Sequence, residues 1–345
     1  MYKEQSTKID KSDNLLETYN LFINGSNLTI NLDSSTDLNL SSMFSLFDSI
    51  NNYKISLINE SMINGSDSNF MFPSIYDLPF FSKLTDTMSK HCFDDIRTNL
   101  EKMTVFELVM LQFKKNYGHL IRQKNHQTVI QKLKEYTFSI SDLNLYSVIF
   151  QIEDKRIYRS YSNNSWEQGD RFYGTIPLLP ASIRSCILIN GKKVCELDFQ
   201  SMQINMCYHM EGVNFQYDPY DIGPLDRNIF KKASLIMLHA ESEKWAKQAL
   251  RDELQDKNLD IDGIIQCFKQ MHTAISKYFC RGIGPGLQTL ETDITEFILK
   301  RLLKKNIIAL PVHNSFIVQK QHKEELYFTM LESYKSVMNF YPVVK

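Results

Sequence analysis

The pattern that most constrains the fold begins near residue 150, where short apolar runs start to alternate with long amphipathic segments. The run 194–199 has the composition of a buried strand, and two apolar runs around a polar break within 307–319 are typical of a hairpin. Apolar residues at three- and four-residue spacing predict helices at about 201–211, 226–240, 242–254, 261–279, 287–304 and 322–338. Residues 151–345 are therefore predicted to form an α/β (α+β) core with inserted helices.

The first 150 residues differ in composition and periodicity. Residues 1–70 are rich in Ser, Asn and Asp, and their apolar residues come in short bursts, which predicts small strands and short helices. From about 74 to 140 the apolar spacing becomes helical, as in the segment MTVFELVMLQF. We therefore expect two regions: 1–150, mixed and then helical and of unassigned role, and the core over 151–345.

Composition excludes several classes of protein. The chain has 39 Lys and Arg against 40 Asp and Glu, so net charge does not indicate a nucleic-acid partner, which would need a local basic patch. No apolar run is long enough to predict a membrane span, and the polar N-terminus lacks the apolar segment of a signal peptide. The six scattered cysteines include no C-x-x-C pair, which argues against a zinc site and favours free thiols in a cytoplasmic protein.

Asp198 lies where the predicted strand 194–199 passes into a helix. A carboxylate at the end of a rigid strand is suited to hold Mg²⁺, which prefers oxygen ligands in octahedral geometry. The same position also suits a residue that caps the following helix. Glu196 lies two residues earlier on the same strand face, as a second ligand or as a surface acid.

A second segment places Arg227, Lys231, Leu235 and His239 at intervals of four residues, so they share one face of a helix. Two cations one turn apart could hold a triphosphate, although an ordinary basic amphipathic helix has the same spacing. The third segment is the polar break His313-Asn314 between two apolar runs. Asn in a tight turn needs no function of its own.

The order of these segments resembles the three motifs of family A DNA polymerases and of the related single-subunit phage-type RNA polymerases. DFQSMQIN (198–205) resembles the first motif, R-x3-K-x7-HA (227–240) the fingers helix, and PVHNSFIV (311–318) the third motif, which reads HDE or HDS. Gly169-Asp170-Arg171 and LQTLETDITEFIL (287–299) are similar to two weaker elements of the family. The resemblance covers roughly 165–320 and implies a polymerase-like palm sheet with helical fingers.

The resemblance also implies a reaction. Asp198 would bind the two Mg²⁺ (or Mn²⁺) ions that promote attack of a primer hydroxyl on the α-phosphate of an incoming (d)NTP. Arg227 and Lys231 would hold the β- and γ-phosphates of that nucleotide. The product would be an extended DNA or RNA strand.

The resemblance also implies roles for further residues. His239 stands where the family has a Tyr near the incoming base, Leu235 where the DNA enzymes have an aromatic residue, and Gln203 where they have a Glu that rejects the ribose 2′-OH. Arg171 and Gln288 would contact the backbone of a DNA or RNA primer–template.

The third motif departs from the pattern, because Asn314 follows His313 where the family has Asp. An amide gives one neutral oxygen and is a much weaker Mg²⁺ ligand than a carboxylate, so transfer should fall by orders of magnitude. The chain is then either an engineered Asp→Asn variant or a naturally inactive relative. One alternative is a non-catalytic nucleic-acid or nucleotide binder that retains the palm. Another treats the motifs as coincidence and expects residues 198 and 314 to lie far apart.

Overall fold

The structure, a computed structural model, describes residues 14–33, 35–39, 53–59, 135–139, 145–160, 171–222, 225–254 and 259–345, with isolated positions between 42 and 141. Most of the segment predicted to be helical, 74–140, and the Gly169-Asp170 element lie outside the described residues. The end of that segment, Thr137–Ser139, is a strand.

The described strands, in chain order, are β1 (Leu28–Asp33), β2 (Asp37–Asn39), β3 (Tyr53–Asn59), β4 (Thr137–Ser139), β5 (Leu145–Ile152), β6 (Ile157–Ser160), β7 (Arg171–Gly174), β8 (Ile187–Ile189), β9 (Lys192–Asp198), β10 (Ala309–Val312) and β11 (Ser315–Gln319). The described α-helices are α1 (Asn14–Asn24), α2 (Thr175–Leu178), α3 (Ala181–Arg184), α4 (Met202–Met210), α5 (Arg227–His239), α6 (Glu243–Leu254), α7 (Ile261–Met271), α8 (Gly284–Lys304) and α9 (Lys323–Met338). Short 3-10 helices follow α7 at Thr273–Tyr278 and β11 at Lys320–His322. The predicted mixed α/β class is confirmed.

The chain divides into two compact units, each discontinuous in sequence. One comprises residues 20–156 and 174–195, and the other comprises 1–19, 157–173 and 196–345. Strand β9 begins in the first unit and ends in the second. The single boundary expected near residue 150 stays a prediction.

In the first unit the strand order is β9-β8-β1-β5-β3. Strand β1 alternates buried and half-buried residues, with Leu28, Ile30 and Leu32 on the buried face. The antiparallel register sets Ile30 opposite Phe150, and both side chains are fully buried. Cross-strand apolar pairs of this kind fix the register, since a one-residue slip would turn the buried set toward water.

In the second unit the strand order is β10-β11-β9, and helices α8 and α9 pack against each other. Every residue of β10 is buried, so both faces of this strand are covered. The rings of Phe199 and Phe316 meet edge to face at 6.4 Å, and Phe199 lies 5.6 Å from Tyr334. This aromatic cluster anchors the residue that directly follows Asp198.

Within the described part of the chain, no helix is both long enough and apolar enough to cross a membrane. The described cysteines, Cys186, Cys195, Cys207, Cys267 and Cys280, are free thiols.

Candidate functional site

Asp198 is the last residue of β9, and hydrogen bonds on both sides fix its backbone. Its N–H donates to the carbonyl of Lys345 at 2.8 Å, and the N–H of Lys345 donates to its carbonyl at 3.0 Å. The N–H of Phe199 donates to the carbonyl of Asn314 at 3.1 Å. The carboxylate of Asp198 therefore projects from a backbone segment that is paired on two sides.

The side chain of Asn314 lies directly on that carboxylate. Its Nδ2 donates to Oδ1 of Asp198 at 2.7 Å and to the carbonyl of Phe199 at 3.0 Å. A backbone carbonyl can only accept, so the amide nitrogen must face this side. Gln200 donates from Nε2 to Oδ2 of Asp198 at 2.9 Å. Both oxygens of the carboxylate thus accept an amide hydrogen, and the expectation that residues 198 and 314 lie far apart is wrong.

Unusual backbone conformations occur on either side of this contact. Ser201, just before α4, has φ 50°, and His313, in the hairpin turn, has φ 55°. Residues other than Gly lose roughly 1–2 kcal/mol in this left-handed region, so the surrounding contacts must hold them there. The hydrogen bonds of Phe199 and Asn314 are such contacts, because they fix the strand end against the turn.

A second carboxylate approaches the same turn. Ser315 donates from Oγ to Oε1 of Glu196 at 2.5 Å. The charge of Glu196 also raises the pKa of Asp198.

Burial is the main reason that the pKa of Asp198 rises from its ordinary value of 3.8 to about 6. The charge of Lys231 lowers this pKa, and the charge of Glu196 raises it further. Lys231 therefore lies close enough to the carboxylate to influence its ionisation.

Helix α5 presents the four residues that the sequence placed on one face. Asp226 caps the helix by accepting from the N–H of Asn228 at 2.6 Å. Arg227 donates from Nε to Asp218 at 2.6 Å, and its guanidinium lies 5.2 Å from the ring centroid of Tyr220. Lys231 is exposed and, within the described part of the chain, has no carboxylate partner in an ion pair.

The C-terminal half of this face is apolar and then aromatic. Leu235 is 55% exposed, so its side chain is available to a ligand. Nε2 of His239 donates to Oε1 of Gln203 at 3.2 Å. Burial, and to a lesser extent the charge of Arg171, lower the pKa of His239, so the ring is neutral at pH 7. Two residues that the resemblance assigns to the nucleotide are therefore in direct contact.

Arg171 and Gln288, the positions predicted to contact primer–template, have different surroundings. Arg171 donates from Nη2 to Oε2 of Glu291 at 2.5 Å, and Glu291 is only 6% exposed. Arg159 pairs in the same way with Glu296, five residues further along α8. Gln288 is half-buried in the first turns of α8. Contact of Arg171 and Gln288 with nucleic acid stays a prediction.

Several contacts of the site were not evident in the sequence. Gln200, Ser315 and Lys345 touch Asp198 or Glu196, and Tyr173 lies edge to face with His313 at a centroid distance of 6.4 Å. Gln200 and Ser315 lie next to predicted site residues in the sequence, and this proximity could have indicated that they belong to the site. Lys345 is distant in sequence and has no such signal, whereas Tyr173 stands in a stretch where tyrosines alternate with arginines, a pattern that can indicate stacking on bases.

The donors at Asp198 and Asn314 do not fit the pair of Mg²⁺ ions that the resemblance implies. The only carboxylate of this pair already accepts two amide hydrogens, and Asn314 turns its nitrogen, not its oxygen, toward it. Among the described residues, no group of three or more His, Cys, Asp and Glu side chains is arranged to hold a metal ion. The carboxylate of Asp198 is therefore satisfied by hydrogen bonds from the side-chain amides of Asn314 and Gln200.

Comparisons with protein-family models and with curated proteins return no match to this chain.

Proposed function

We propose that the chain is a nucleotidyltransferase of the family A polymerase type, which in its Asn314 form binds a nucleoside triphosphate but transfers it poorly. The observation that carries the proposal is the 2.7 Å contact between Asn314 and Asp198, beside a helix whose Lys231 acts on the same carboxylate. Strand β9 and the hairpin β10-β11 would form the palm, and α5 would belong to the fingers.

Lys231 and Arg227 are the groups proposed to hold the phosphates. They lie one turn apart on α5, so both can reach the oxygens of one polyphosphate. The absence of an ion-pair partner for Lys231 within the described residues supports this role, because its ammonium needs no release before it binds an anion. Arg227 is held by Asp218 and keeps further N–H donors on its planar guanidinium.

Leu235 and His239 continue this face toward the position proposed for the base. The exposed side chain of Leu235 offers an apolar surface, and the neutral ring of His239 adds no charge to it. The contact between His239 and Gln203 fixes the end of α5 to the start of α4. The proposed order along α5 is therefore phosphates at its N-terminus and the base at its C-terminus.

A non-catalytic binder of nucleotide or nucleic acid is the second candidate. The observation that favours it is the double hydrogen bonding of Asp198, whose oxygens accept from Asn314 and Gln200. A carboxylate that is already satisfied in this way has little need of a cation. In that case the polymerase shape would serve recognition only.

Nucleotide affinity tests the proposal. We expect titration calorimetry to detect binding of ATP or dATP to the unmodified chain, and Lys231→Ala to weaken it about tenfold, since one charge-assisted hydrogen bond contributes roughly 1.5 kcal/mol. Lys232→Ala is the matched control, because Lys232 lies next in sequence but pairs with Glu253 at 2.7 Å. No detectable nucleotide binding, or equal losses in both variants, would contradict the proposal.

The two candidates differ in their response to ligands. A nucleotide site is stabilised by the nucleotide itself, and the melting temperature should rise with its concentration. A pure nucleic-acid binder should be stabilised by an oligonucleotide and not by a nucleotide.

A further inference from the structure

Three aromatic rings form a row that ends at the candidate site. Tyr158 of β6 and Tyr173 of β7 are nearly parallel, with an interplanar angle of 23° and centroids 6.1 Å apart. Tyr173 meets His313 edge to face at 6.4 Å. Strands β6 and β7 pair in a two-stranded sheet, and His313 directly precedes Asn314, so the row leads from this sheet to the contact with Asp198.

The row is accessible along its length. Tyr158 is 56% exposed, His313 is exposed and Tyr173 is half-buried. Large aromatic side chains bury much apolar surface when they can, and an exposed row of them is a common feature of binding surfaces.

The strands that carry the two tyrosines are held firmly. Arg171, two residues before Tyr173, pairs with Glu291, and Arg159, next to Tyr158, pairs with Glu296. The guanidinium of Arg159 also lies 5.6 Å from the ring centroid of the buried Phe172. These contacts tie both strands that carry the rings to α8.

The ion pairs beside the two tyrosines contain more cations than carboxylates. Lys300 forms a further ion pair with Glu296, which makes three cations with Arg159 and Arg171. Only two carboxylates, Glu291 and Glu296, oppose them in these pairs. In these pairs the cations exceed the carboxylates by one, and this excess at the tyrosine end of the row suits the phosphates of a nucleic acid. The carboxylates of Asp198 and Glu196 lie at the other end, beside the hairpin turn of His313.

We propose that Tyr158, Tyr173 and His313 form a stacking row for a single-stranded nucleic acid whose end reaches the Asp198–Asn314 contact. Stacking on aromatic rings accepts any base, because every base has a π-face. In a duplex those faces are covered by neighbouring base pairs, whereas an unpaired strand exposes them. The inference deepens the proposed function and rests on it for the role of the strand end.

Fluorescence anisotropy with short labelled oligothymidylate and oligouridylate tests the row at constant salt. Removing one ring, in Tyr158→Leu or Tyr173→Leu, is expected to weaken binding about fivefold to a hundredfold. Tyr158→Phe and Tyr173→Phe keep the ring and should bind within about twofold of the unmodified chain. An unlabelled duplex of the same length should compete poorly.

The result that overturns the inference is single-strand affinity that survives both Leu substitutions, or a duplex that competes as well as the single strand. Binding of a proline-rich peptide in place of any oligonucleotide overturns it as well. Calorimetric titration of ATP into the same variants separates the two proposals. If ATP binding depends on Lys231 but no oligonucleotide binds, the stacking row fails and the nucleotide site stands. If oligonucleotide binding depends on the rings but no ATP binds, the nucleotide site fails and the stacking row stands.

Discussion

The amide of Asn314 donates a hydrogen bond of 2.7 Å to the carboxylate of Asp198, from the turn of one hairpin to the end of a neighbouring strand. A carboxylate at position 314 would set two acceptors at that distance with no hydrogen between them. The amide thus removes the repulsion that a proton or a cation would otherwise have to compensate.

Replacing this amide by a carboxylate should therefore destabilise the protein when no divalent cation is present. We expect Asn314→Asp to lower the free energy of unfolding by about 1–3 kcal/mol at neutral pH, because the hydrogen bond is lost and two acceptors are left facing each other. Urea denaturation measures the change. Adding Mg²⁺ should restore much of the loss. Asn228→Asp adds the same charge at an exposed position and should respond little to Mg²⁺.

The raised pKa of Asp198 predicts a specific dependence of stability on pH. The folded-state pKa of about 6 lies above the ordinary value of 3.8, so the folded protein holds the proton more tightly. This contribution is fully present below pH 3.8 and is lost as pH rises through about 6. Two pKa units correspond to roughly 3 kcal/mol, which solvent screening should reduce to about 1 kcal/mol.

The measurement compares urea denaturation of the unmodified chain and of Asp198→Asn across this pH window. The difference between the two stabilities should shift in favour of Asp198→Asn as pH rises. A difference that stays constant, or that shifts the other way, would show that the carboxylate is not held in a buried environment.

Gly284 is required by the position of His239. A Cβ on Gly284 would lie 2.2 Å from Nδ1 of that ring, closer than atoms can approach. Gly284→Ala should cost about 1–3 kcal/mol by overpacking and should disturb the contact of His239 with Gln203. Gly286→Ala, with no atom near the added Cβ, should instead be neutral or stabilise the helix by about 0.5–1 kcal/mol. Equal effects in thermal melts would contradict the packing described.

Breaking the ion pair of Arg171 with Glu291 should destabilise the protein strongly, because Glu291 is buried. Arg171→Met leaves a carboxylate that is 6% exposed without its partner, and we expect a loss of about 2–4 kcal/mol. Arg156→Met breaks the exposed pair with Asp154 and should cost far less, because solvent screens this pair. The double variant Arg171→Met, Glu291→Leu should recover most of the stability, as a double-mutant cycle in urea would show.

Sequence periodicity located the elements of the second half of the chain well, because their apolar stripes face one core. The helix predicted at about 226–240 is Arg227–His239, and the last helix, predicted at about 322–338, is Lys323–Met338. Over the segment expected to be helical, 261–279, the α-helix ends at Met271 and a 3-10 helix follows at Thr273–Tyr278. The reason is tertiary: His272 is buried between the hydroxyl of Tyr208 at 2.6 Å and the carbonyl of Pro219 at 2.8 Å.

The helix expected to start at 287 begins at Gly284, and Pro285 in its first turn is the signal that could have indicated this. For the site, motif order predicted the proximity of residues 198 and 314, which is confirmed. It did not predict that Gln200 would take the second oxygen of Asp198, or that Tyr173 would reach His313. Contacts between segments distant in sequence have no periodic signature, so residue spacing alone does not reveal them.

Primer extension by Asn314→Asp is the most direct test of a polymerase-type site. In the presence of Mg²⁺, a labelled primer–template and each pool of NTPs or dNTPs, this variant should add nucleotides at a rate orders of magnitude above that of the unmodified chain. The control carries Asp198→Asn together with Asn314→Asp and should be inactive. A polymerase-type site is contradicted if Asn314→Asp folds, adds no nucleotide from any pool and binds Mg²⁺-nucleotide no better than the Asn314 protein.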